Sequence, residues 1–119
     1  MSTHTSLGAT LRAARLDKAA TNPRQFSVRA LAARLGASAS WLSMVERDAQ
    51  RPTEAMVRAL ADELELDADL LLRQAGRVPR DVAALLLERP ALADAVRALR
   101  ALPDSEIVRT IRRIRDGEW

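Results

Sequence analysis

The chain has 119 residues, enough for one compact domain or for a small domain with an appendage. Hydrophobic residues make up 48% and charged residues 29%, a globular balance that excludes a disordered chain. Cysteine is absent, which excludes disulfides and thiolate metal sites, and the longest apolar run, Val82 to Leu87, falls far short of the ~20 residues that span a bilayer. The polar stretch Met1 to Ser6 lacks the apolar core of a signal peptide, so export is not expected and a reducing cytoplasm fits.

Charge is uneven along the chain. Residues 1–51 carry 8 Lys/Arg against 3 Asp/Glu, whereas residues 52–76 carry 2 against 6. A basic half beside an acidic segment suits a protein with one face toward a polyanion. Arginine as the generic surface cation explains it equally well, since Lys18 is the only lysine.

Strand signals are nearly missing, and Ala, Leu and Arg favour helix throughout. A first helix is expected from about Ser6 to Lys18, with Leu7, Leu11 and Leu16 on its apolar stripe. The polar stretch Ala19 to Gln25, with Asn22-Pro23, breaks it. Ser27 caps a short helix to Leu35, and Gly36 closes it where a positive φ is needed. Ser38 caps a third helix reaching about Arg47. Thr53 caps a fourth, with Met56, Val57, Leu60 and Leu64 facing inward, and Asp67 caps a fifth from Ala68 to Ala75, stopped by Gly76.

After Gly76 the character changes. Arg77 to Arg80 reads as a linker, followed by three amphipathic helices over Asp81 to Glu88, Ala91 to Leu102 and Asp104 to Arg115. About forty such residues bury little core alone. The expected organisation is a domain over 1–76 and a helical dimerisation or partner-binding region over 77–119. Leu85, Leu86, Ile107, Ile111 and Ile114 are its candidate dimerisation residues.

Two short helices around a Gly-containing turn, from Phe26 to Arg47, form a helix-turn-helix pattern. The order Leu31-Ala32…Leu35-Gly36…Ser38…Leu42-Ser43…Glu46-Arg47, with Leu60-Ala61…Leu64 beyond it and Leu7-Gly8…Leu11-Arg12…Arg15 before it, resembles the Cro/CI-type, or XRE-like, repressor family. The resemblance covers residues 7–76. It implies an all-α, five-helix lambda-repressor-like DNA-binding domain that acts in the cytoplasm on the nucleoid as a sequence-specific transcriptional regulator, commonly a repressor. A dimer on a palindromic operator, with helix 38–47 in the major groove, is the implied mode.

Laid onto this chain, the resemblance makes Ser38, Ala39, Ser40, Ser43 and Met44 the base-reading side chains. The set lacks the Arg, Asn and Gln that read guanine or adenine bidentately, so serine contacts and methyl packing must serve, with water and DNA shape assisting. Arg24, Ser27, Arg29, Trp41, Arg47 and Arg51 are candidates for the DNA backbone, although each arginine is also readable as a solvated charge and Trp41 as helix packing. Arg15 and Glu46 fall where the family has an internal salt bridge.

Two departures stand out. Asp48 occupies a position where the family usually has Gly, so the helix cap is expected to be rebuilt locally. The Ala19 to Gln25 connection is longer than usual; it reaches DNA through Arg24, reaches a partner, or is simply tolerated.

No cofactor or metal is expected. His4 is the sole histidine, and no carboxylate pair, nucleophile elbow or phosphate loop is present, so an enzyme is not expected. The competing reading is an antitoxin or co-regulator whose C-terminal helices bind a toxin or a regulatory metallopeptidase.

Overall fold

The computed structural model describes residues 5–117, and His4 lies outside them. All regular structure among these residues is helical: α1 (Leu7–Thr21), α2 (Val28–Arg34), α3 (Ala39–Glu46), α4 (Glu54–Leu64), α5 (Ala68–Gln74), α6 (Arg80–Glu88), α7 (Pro90–Leu99) and α8 (Asp104–Asp116). The chain divides into two compact units, residues 1–79 and 80–119.

Side-chain caps set the helix starts of the first unit. Ser6, Ser27, Ser38 and Thr53 each accept a backbone N–H three residues on, and Asp67 accepts that of Asp69. Each cap satisfies one of the four N–H groups that a helix start leaves without a partner. Thr53→Ala is expected to cost about 1 kcal/mol, read as a lower urea midpoint at unchanged slope.

At the other ends, Gly36 adopts φ 70°, as the sequence suggests, and Gly76, where α5 was expected to stop, adopts 69°. Glu65 ends α4 at φ 56° without being glycine, and Lys18 Nζ donates to its Oε2 at 2.6 Å. That hydrogen bond, helped by the ammonium charge, holds the Glu65 carboxyl below its ordinary pKa.

The core of the first unit is continuous. Leu11, Leu31, Leu42, Val45, Val57, Leu60, Leu71 and Leu72 are almost wholly buried, and Leu7, Ala32, Ala61 and Leu64 complete the cluster. Burial of each Leu or Val contributes roughly 1.5–3 kcal/mol. Packing joins α1 to α3 and α4, α2 to α3, and α4 to α5.

Three expectations need correction. Helix α1 runs on to Thr21, because Pro23 restricts the residue before it and leaves Ala19 to Thr21 free to stay helical; the connection shrinks accordingly. Leu16 is exposed, since it lies about 140° around the helix from Leu11, and Arg15 holds the core-facing position instead. Helix α7 stops at Leu99, where Arg100 to Leu102 turn ahead of Pro103 and Leu102 N–H bonds the Leu99 carbonyl.

The second unit is built differently. Helices α6 and α7 pack on one another, yet no described side chain of α6, α7 or α8 is buried. Val82, Leu85, Leu87, Val96, Leu102, Val108, Ile111 and Ile114 are all exposed.

Candidate nucleic-acid interface

Helix α3 has two sides. Leu42, Val45 and Glu46 turn inward, which leaves Ser40, Ser43, Met44 and Arg47 on the opposite face at i, i+3, i+4 and i+7. Ser40 and Arg47 are exposed, while Ser43, Met44 and Ala39 are half-buried. Ser38 begins the helix and accepts Trp41 N–H at 3.0 Å, so its hydroxyl proton remains free to donate outward. The five expected reading residues therefore share one helix, but Ser40, Ser43 and Met44 form its presented surface.

Trp41 is half-buried against the core and lines a groove of about 380 Å³ with Ser38, Gln50, Thr53 and Met56. Arg24 and Arg29 project from the connection to α2 and from its first turn, both exposed, and no described residue makes an ion pair with either. Ser27 Oγ accepts Ala30 N–H at 3.0 Å. Arg47 folds back so that Nε donates to the Ser43 carbonyl at 3.3 Å. Arg51 is engaged within the domain: Nε and Nη2 donate to the carbonyls of Ala75 and Gly76 at 2.8 and 2.7 Å, closing the end of α5. Contact with a phosphate would fall to the N–H donors that these two bonds leave, on Nη1 and Nη2.

Behind the outward face of α3, Arg15 and Glu46 form a buried bidentate pair. Arg15 Nε reaches Glu46 Oε2 at 2.6 Å and Nη2 reaches Oε1 at 2.9 Å, while Nη1 donates to the Phe26 carbonyl at 3.2 Å. The hydrogen bonding that Arg15 donates to Glu46 raises the Arg15 pKa against the opposing pull of burial, and the Glu46 charge adds to it. One guanidinium thus ties α1, the end of α3 and the entry to α2. Its planar fork matches the carboxylate in a way a lysine would not.

A second tie escapes sequence reasoning. Asp48 adopts φ 59°, the left-handed conformation that glycine takes most readily, so the cap is not rebuilt. Its Oδ1 accepts Gly8 N–H at 2.8 Å and so caps the start of α1 from the end of α3. Gly8 is packed so closely there that a Cβ would lie 2.5 Å from the Glu46 carbonyl oxygen and 2.7 Å from that of Val45. The available signal was the pairing of a glycine in the first turn with an aspartate at the cap.

Arg34 and Phe26 were also missed. Arg34 Nε pairs with Glu63 Oε1 at 2.8 Å, Nη1 donates to the Gln25 carbonyl at 2.6 Å, and its guanidinium lies 5.0 Å from the Phe26 ring centroid. Lys18 Nζ lies 5.5 Å from the same centroid. The connection ahead of Ser27 is therefore held by two arginine–carbonyl bonds and an aromatic ring.

A family model described as a helix-turn-helix domain matches residues 6–74. The chain belongs to the helix-turn-helix family of DNA-binding domains. The match spans α1 to α5 and contains all the residues expected at bases and at the DNA backbone. No curated protein and no solved structure matches the chain. Among the described residues, no helix is long and apolar enough to cross a membrane, and no group of His, Asp or Glu is placed to hold a metal ion.

Proposed function

We propose that this helix-turn-helix protein is a sequence-specific transcriptional regulator of Cro/CI type, acting as a repressor on duplex DNA in the cytoplasm. The observation that carries the reading is the face of α3, where Ser40, Ser43, Met44 and Arg47 stand opposite a fully buried Leu42 and Val45. Such a helix fits the major groove, with serine hydroxyls toward base edges and Met44 toward a thymine methyl. Arg24, Arg29, Ser27 and Arg47 take phosphates on either side, with Trp41 against the sugar-phosphate backbone. Operator choice then depends on half-site spacing, so residues 77–119 serve as the dimerisation region for a palindromic site.

Selection from random duplexes followed by gel shifts over a range of salt tests this. One enriched sequence is expected, with affinity falling linearly against the logarithm of salt concentration. Arg29→Ala and Arg47→Ala should each lower that slope by about 1 while leaving sequence preference intact. Met44→Ala should instead relax preference at one base position at unchanged slope. Equal affinity for every duplex would reject the regulator and leave a non-specific binder.

A further inference from the structure

Helix α8 carries an exposed apolar surface whose two ends bear opposite charges. Placing α8 on a helical wheel at about 100° per residue puts Val108, Ile111 and Ile114 within about 60° of the Ile111 direction. These three are exposed at 46%, 52% and 59%; Ile107 falls in the same arc, about 40° from Ile111, and is half-buried, as is Thr110 about 100° away. Asp104 and Arg115 fall in the same arc, at the beginning and at the end of the helix. Pro103 and Gly117, the latter at φ 72°, fix the helix at 13 residues. It is therefore about 20 Å long.

We propose that α8 pairs with α8 of a second copy in antiparallel orientation, around a two-fold axis near Ile111. This deepens the reading of a dimeric DNA-binding regulator and rests on it. Antiparallel pairing sets Val108 of one copy against Ile114 of the other and Ile111 against its own mate. It also brings Asp104 of each copy toward Arg115 of the other, offset by three residues, or about 4.5 Å along the axis, which an arginine side chain spans. Parallel pairing would set Asp104 against Asp104 and Arg115 against Arg115, like charges at both ends. Among the described residues Arg115 holds an exposed contact at 3.4 Å to Asp116, readily exchanged for a better one.

Residues 80–117 contain no buried side chain, so the unit is short of core without a partner. Stable interfaces bury about 1,200–2,000 Å² in total, more than one pair of short helices supplies. Exposed Val82, Leu85 and Leu87 are further apolar area in the same unit.

The test is sedimentation equilibrium of the full chain over micromolar concentrations. The wild type is expected to dimerise, and Ile111→Asp to be monomeric with the melting of the first unit unchanged. Asp104→Arg alone and Arg115→Asp alone should each weaken the dimer about tenfold, because each places like charges together twice. The double reversal should recover wild-type association, although it carries both helix-dipole penalties. A double variant weaker than either single change would mean that α8 had merely lost helicity, and would overturn the pairing. Single reversals without effect would equally overturn the antiparallel arrangement. A wild-type chain that selects a duplex sequence yet sediments as a monomer sinks the pairing and leaves DNA reading intact. Dimerisation that follows the charge pattern without sequence selection would sink the regulator reading and leave the pairing in place.

Discussion

Replacing Glu46 with alanine is expected to lower the unfolding free energy by about 3–5 kcal/mol, because it leaves the Arg15 guanidinium buried without its counter-charge. The side chains of Arg15 and Glu46 are only 9% and 5% exposed, so water cannot compensate for the loss. Arg15→Ala should cost a similar amount and additionally free the Phe26 carbonyl, its third contact. The paired change Arg15→Met with Glu46→Leu should recover most of the stability, since it removes both charges and keeps the volume. Urea unfolding followed by circular dichroism measures all four proteins. A loss below about 1 kcal/mol for Glu46→Ala would show that the pair is worth no more than a surface contact. The single variants should also bind DNA worse than their folded fraction predicts, because Glu46 is adjacent to Arg47 at the end of α3.

The second large effect is expected at Gly8. Alanine is a better helix former than glycine by about 1 kcal/mol, so Gly8→Ala at an open position in α1 would stabilise the protein. Here the added methyl meets the carbonyl oxygens of Val45 and Glu46 and the Asp48 carboxylate within 2.5–2.8 Å, and two of those three are backbone atoms. Accommodating it means parting α1 from the end of α3 and stretching the Gly8–Asp48 bond. A net loss of about 2–3 kcal/mol is expected, overpacking outweighing the propensity gain. A thermal melt at or above the wild-type midpoint would refute the close approach.

Both effects bear on what was legible beforehand. The caps at Ser27, Ser38, Thr53 and Asp67, the positive φ at Gly36 and the helix stop at Gly76 were readable because each depends on residues within a turn of itself. The all-helical class and the five helices of the first unit followed from the same local signals. Contacts across tens of residues were not readable. Nothing near Asp48 announces that its carboxylate finds a helix start forty positions earlier, and nothing near Arg51 announces the carbonyls of Ala75 and Gly76. Leu16 was placed inside for being leucine, but helical phase gave that position to Arg15. The outward side of α3 was legible too, since Leu42 and Val45 were expected in the core and their burial determines which side remains outward.

The bonds from Arg34 and Arg15 to the carbonyls of Gln25 and Phe26 have a consequence for how this domain tolerates change. They anchor the chain immediately before Ser27, so the start of α2 does not inherit its position from the residues upstream. Asn22 to Arg24 are exposed and lie outside that anchorage. Extra residues there cost loop-closure entropy, about 0.6 kcal/mol for each doubling of length, together with the bond from Phe26 N–H to the Asn22 carbonyl that closes the turn. The segment is therefore the natural place for lineages to diverge in length, or for a label to be inserted, while the two helices of the motif keep their register.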